Sequence, residues 1–60
     1  MPKLMSPAEV AEMLGVSVRF VYERTTRNTT DPLPFRKIGK FVRFFEHEIT
    51  AWVEDRKQNG

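Results

Sequence analysis

Between Val10 and Tyr22 the chain reads Val10-Ala11-Glu12-Met13-Leu14-Gly15-Val16-Ser17-Val18-Arg19-Phe20-Val21-Tyr22, with a small residue, a glycine and a β-branched residue at offsets of four and six. Those offsets suit two helices that cross closely through a short turn. Ala11 keeps the first helix thin at the crossing, Gly15 permits the positive φ of a sharp exit, and Val21 plugs the second helix back against the first. Leu14 and Val16 flank the glycine and can pin the turn from below, and Ser17 offers an oxygen to the first free N–H groups of the second helix. The stretch predicts a helix-turn-helix.

Ser6-Pro7-Ala8-Glu9 is a start signal for the first helix. Ser6 is the cap, Pro7 occupies the first helical position, and Glu9 completes a capping box. Val10, Met13 and Leu14 then recur at helical spacing on an inner face, with Glu9 and Glu12 outside. The second helix is expected from about Val18 to Thr26, with Val18, Val21 and Tyr22 as its inner stripe. Phe20 has two readings, closure of the core against the later hairpin or apolar contact with a ligand. Arg27 to Pro34 holds two prolines and no periodicity, so it reads as a polar loop.

Phe35 to Phe44 reads as a hairpin turning at Gly39-Lys40. A two-residue turn puts Arg36 and Arg43 on one face with Ile38 and Phe41; a three-residue turn groups Ile38, Val42 and Phe44 inward. The second separates charge from core and is preferred. A hairpin of two strands needs helices to pack on, so it resembles the wing of a winged helix. A third helix follows from Glu46 to about Lys57, with Ile49, Trp52 and Val53 as its stripe, Trp52 as keystone of the core, and end charges that suit the helix dipole.

At 60 residues the chain is near the lower size limit for a core without metal or disulfide, so one domain over 1–60 is expected, frayed at 1–5 and 58–60. The fold class is α+β and mostly helical: a two-helix helix-turn-helix, a two-stranded wing and a C-terminal helix. There is no cysteine and one histidine, His47. Ser6, Ser17 and His47 sit at helix caps or starts without an acid–base partner, so no enzyme, metal or cofactor is expected. No segment has the length or apolarity of a membrane span, and the expectation is a soluble, cytoplasmic protein.

The formal charge of +2 conceals a segregation: from Arg19 to Arg43 seven basic residues face two acidic ones, a net of +5, while the remainder carries −3. Such a footprint orients a molecule toward a polyanion. In a helix-turn-helix the second helix enters the DNA major groove. Ser17, Val18, Arg19, Phe20, Glu23, Arg24 and Arg27 are therefore the candidates on and just after that helix, and Arg36, Lys37, Lys40 and Arg43 those on the wing. Arg19 and Glu23 suit base edges, and the loop and wing cations suit phosphates. Arg43 has an alternative partner in Glu46 or Glu48.

The capping box, Val10-Ala11, Leu14-Gly15-Val16-Ser17, Val21-Tyr22, Leu33-Pro34, Ile38-Gly39-Lys40, Val42-Arg43-Phe44 and Ile49-Ala51-Trp52, in this order, resemble the excisionase-type helix-turn-helix family, small winged domains related to the DNA-binding portion of MerR regulators. The resemblance covers residue 4 to about 55. It implies recognition helix 17–26 in the major groove of double-stranded DNA and wing 35–44 along the backbone or minor groove. It also implies a recombination directionality factor of a mobile element or a small transcriptional regulator. The chain departs from the family at Phe20, where Thr is common, and at Thr29-Thr30-Asp31, where a glycine is common. A small footprint suggests cooperative self-association on DNA or help from an integrase or recombinase. The competing class is a protein-interaction module, antitoxin-like or scaffold, which the +5 middle segment disfavours.

Overall fold

The computed structural model describes residues 3–26 and 28–59, with side chains as far as Arg56. In chain order the elements are β1 (Leu4–Met5), α1 (Pro7–Leu14), α2 (Val18–Glu23), β2 (Arg36–Ile38), β3 (Phe41–Phe45) and α3 (Glu46–Asn59). They form an α+β winged helix-turn-helix.

Local chemistry sets the first two helices. Ser6 Oγ accepts the Glu9 N–H at 3.2 Å, and the Ser6 N–H donates to Glu9 Oε1 at 2.9 Å, so the capping box closes in both directions. That backbone N–H also holds the Glu9 carboxyl below its ordinary pKa of 4.5. At the far end Gly15 takes φ 71°, its N–H reaches Glu12 O at 3.3 Å, and the Val16 N–H reaches Ala11 O at 3.0 Å. These two bonds make a Schellman cap, which turns the chain sharply enough for Ser17 to cap α2 through the Phe20 N–H at 3.1 Å.

Helix α2 stops at Glu23, earlier than the expected Thr26. The N–H groups of Arg24 and Thr25 bond three residues back, to Val21 O and Tyr22 O. The hydroxyls of Thr25 and Thr26 bond Tyr22 O and Glu23 O at 2.8 and 3.1 Å. These hydroxyls occupy carbonyls that a longer helix would use.

The sheet has three antiparallel strands in the order β1-β3-β2, one more than the two-stranded wing expected from sequence. Leu4 and Met5 pair with Phe45 and Phe44, so these two residues, expected to fray, belong to the fold. Helix α3 likewise continues to Asn59, past Lys57. Pairing of β2 with β3 aligns Arg36 with Arg43, Lys37 with Val42 and Ile38 with Phe41. The turn is therefore the two-residue one, Gly39-Lys40, and the preference for three residues is overturned. Gly39 alone has positive φ, 63°, as a type II′ turn requires at its first central position.

This register works because Ile38 and Phe41 do not face the core. Paired residues share a sheet face, so Met5, Phe44 and Val42 point inward, with Lys37 at the exposed end of that face, while Leu4, Phe45, Arg43, Arg36, Phe41 and Ile38 point out. Two arginines opposite each other repel, and each is relieved locally. Arg36 Nη2 pairs with Glu48 Oε2 at 2.8 Å, and the Arg43 guanidinium lies 5.3 Å from the Phe41 ring centroid.

The core is Met5, Val10, Ala11, Val21, Leu33, Phe44 and Ile49. Besides Ile38, four residues expected inside, Met13, Val18, Tyr22 and Val53, are exposed. Trp52 is half-buried and packs on the rim, so the largest fully buried side chain is Phe44 and not the tryptophan. Leu33, in the loop, is 2 % exposed, and its N–H donates to Arg24 O at 3.0 Å. This loop is anchored to the end of α2 and contributes to the core.

Candidate nucleic-acid interface

Helix α2 packs on α1 through Val21, which is fully buried. With about 100° per residue, that contact puts Arg19 and Glu23 within about 20° of the opposite face and Tyr22 on its flank at about 100°. Val18 lies only about 60° from Val21, yet all four are exposed. Sequence reasoning places Tyr22 inside and so misses a residue that borders this face, whereas Val18, read both as inner stripe and as a candidate contact, is exposed. For Tyr22 a signal is available in the Ser17 cap, which sets where the helix begins and so places Tyr22 about 100° from Val21.

Arg19 and Glu23 lie one turn apart and form an ion pair of 3.4 Å, with side chains 85 % and 63 % exposed. An open pair of this kind contributes little stability, so both groups are available to exchange partners with a ligand. Ser17 is committed to its cap. Phe20 is half-buried beneath the Arg24 guanidinium, 4.1 Å from its ring centroid. Arg27, a candidate from sequence, lies outside the described residues.

Arg24 is turned away from the exposed face of α2. Besides stacking on Phe20 it donates from Nη1 to the Asp31 carbonyl at 3.4 Å. The Asp31 carboxylate pairs with Arg56 of α3, and Arg56 in turn stacks on Trp52 at 4.0 Å. The series Phe20, Arg24, Asp31, Arg56 and Trp52 thus joins α2 to α3 through the loop. Its ion pair is more than a third exposed, and the stacks are of a type that contributes about 0.5–2 kcal/mol each.

On the wing, Arg36 is held by Glu48, the contact that sequence analysis offered to Arg43 instead. Arg43 Nη1 donates to the Val42 carbonyl at 2.7 Å. Among the described residues Lys37, Lys40 and Arg43 make no ion pair. Lys37 and Lys40 are exposed and Arg43 half-buried. The structure therefore presents an α2 face with one labile ion pair and a wing with three cations that no carboxylate neutralises. Among the described residues no helix is long and apolar enough to cross a membrane.

A family model described as a helix-turn-helix domain matches residues 4–57 of the chain. No curated protein and no solved structure matched it. The match spans α1, the Gly15 turn, α2, the wing and most of α3, the elements that the geometry joins into one unit. On both grounds the chain belongs to the excisionase-type helix-turn-helix domain family, whose function is DNA binding.

Proposed function

We propose that the protein reads double-stranded DNA with the exposed face of α2 in the major groove and the wing on the backbone or minor groove. The observation that carries this reading is the pairing of an exposed, polar α2 face with Lys37, Lys40 and Arg43 on a projecting hairpin. The longest dimension of the molecule is 34 Å, and one turn of duplex is about 34–36 Å. One chain can therefore reach a major groove and its neighbouring minor groove.

In this reading Arg19 and Glu23 exchange their mutual contact for base edges, Arg to guanine and Glu to cytosine. Tyr22 and Val18 add apolar contact of the kind a thymine methyl offers. Lys37, Lys40 and Arg43 fix the register through phosphates. Arg24 acts from behind, holding Phe20 and the loop. The role is that of a recombination directionality factor or a small transcriptional regulator in the cytoplasm. Its limited footprint favours cooperative binding on adjacent sites or recruitment by an integrase or recombinase.

The test is fluorescence anisotropy of a labelled mixed-sequence duplex at roughly 50 and 200 mM salt. Neutralising three phosphates, one each at Lys37, Lys40 and Arg43, gives a loss of roughly 40-fold between the two salts. Lys40→Ala/Arg43→Ala should flatten the logarithmic salt slope by about 2. Binding that ignores salt, or an absence of binding at the lower salt, refutes the reading and favours a protein-interaction module.

A further inference from the structure

At the free end of the wing, Ile38 and Phe41 face each other across the Gly39-Lys40 turn on the outer side of the sheet. They are 50 % and 54 % exposed. In an antiparallel pair the opposed Cβ atoms lie about 4.5–5.5 Å apart, so the two side chains form one apolar blade at the tip. The blade is set among cations. Arg36, Lys37, Lys40 and Arg43 all fall within the ten residues from Arg36 to Phe45, and no carboxylate does.

An apolar blade alone would suit many surfaces. Arg36 is already paired with Glu48, and Lys37 lies on the opposite face with Val42. Lys40 at the turn and Arg43 beside Phe41 make no ion pair among the described residues. Free positive charge beside an apolar pair narrows the choice to a polyanion that also offers apolar area. The DNA minor groove meets both conditions, because its two rims are phosphates and its floor exposes the stacked faces of the bases once a step opens.

We propose that the wing tip is a wedge: with Lys40 and Arg43 on the rim phosphates, Ile38 and Phe41 enter the minor groove, unstack a single base step and bend the duplex. The preferred step is a pyrimidine–purine step such as TA, which opens most easily. Gly39 suits this role, since the tight turn it permits keeps the tip narrow. The wedge rests on the DNA reading proposed above and adds to it a shape-dependent source of selectivity that needs no hydrogen bond to a base.

The experiment uses a duplex of about 30 base pairs with a central TA step, 2-aminopurine beside that step and a donor–acceptor dye pair at the ends. The intact protein is compared with Ile38→Ser/Phe41→Ser. Both positions are exposed, so the variant should keep the circular dichroism of the parent. The parent should raise the 2-aminopurine emission and shorten the end-to-end distance. The variant should bind roughly tenfold more weakly, retain the salt slope set by its unchanged cations, and leave both optical signals at the level of free duplex.

The wedge is overturned if the parent binds without a change in 2-aminopurine emission, or if the variant opens and bends the duplex as the parent does. The latter result would leave the apolar pair to a protein surface. If the parent fails to bind the duplex at roughly 50 mM salt, the DNA reading falls and the wedge falls with it.

Discussion

Leu33→Ala tests whether the loop between α2 and β2 belongs to the core. Leu33 is 2 % exposed, and its backbone N–H is tied to Arg24 O. Truncating a buried leucine to alanine costs about 2–5 kcal/mol, with the upper end reserved for sites that cannot relax. Leu33 also walls a shallow groove with Pro32, Pro34, Ala51 and Trp52, which gives the site an open side through which it can collapse or admit water. The expected loss is therefore about 3 kcal/mol. A domain of this length holds roughly 3–9 kcal/mol in total, so the variant should be half unfolded or close to it at room temperature if the parent lies at the low end. The melting temperature should fall by roughly 12–24 °C. Urea unfolding followed by circular dichroism and by Trp52 fluorescence measures the change. Leu33→Met conserves volume and should cost less than about 1.5 kcal/mol. A loss below about 1 kcal/mol for Leu33→Ala, well under the range for a buried leucine, would refute the argument that this loop residue completes the core.

Three further predictions concern the caps. Gly15→Ala should cost on the order of 1–2 kcal/mol: an added Cβ meets nothing within 4 Å, so only the strain of φ +71° remains. A much larger loss in urea unfolding would mean that the turn is crowded in a way the structure does not show. At the other end of α1, Ser6→Ala should cost about 1 kcal/mol. The lowered pKa of Glu9 gives this cap a pH signature. A carboxyl whose folded pKa lies below its unfolded value contributes stability above the unfolded value, and this is lost as pH falls through the folded one. Thermal melts in acid should therefore show a limb that is shallower in Glu9→Gln; an identical limb in the variant would remove Glu9 as its source.

What the sequence disclosed was local chemistry. Ser6 with Glu9 and Gly15 before Ser17 each carry their instruction within four residues and appear in the structure as caps of the expected kind. Gly39-Lys40 appears as a turn at the expected place but two residues long instead of the preferred three. What it hid was decided at long range. Strand β1 is two residues long and has no period to detect; it exists because Phe44 and Phe45 offer an edge. The hairpin register was misread on the assumption that Ile38 faces the core, whereas the inward positions belong to Val42 and Phe44. In a helix of six residues the apolar period is under two turns, too short by itself to separate Val21, which is buried, from Val18 and Tyr22, which are exposed. The size of Trp52 suggested a keystone, yet a side chain that large is seldom fully enclosed in a small domain. At the candidate interface the residue types were legible, but their engagements were not. The Arg36–Glu48 pair and the Arg24–Asp31 bond join distant segments, and they separate the cations that hold the fold from those left facing outward.

The series from Phe20 through Arg24, Asp31 and Arg56 to Trp52 bears on how such a domain can change over generations or in an engineer's hands. Residues in one network do not respond independently to substitution, and their joint effects depart from the sum of the single ones. Altering Phe20 to shift base preference would disturb the seat of Arg24, then the loop, then the packing of α3. Retargeting through Phe20 is therefore a problem of five positions chosen together, whereas Arg19, Tyr22 and Glu23 stand outside this series and can be varied without disturbing it.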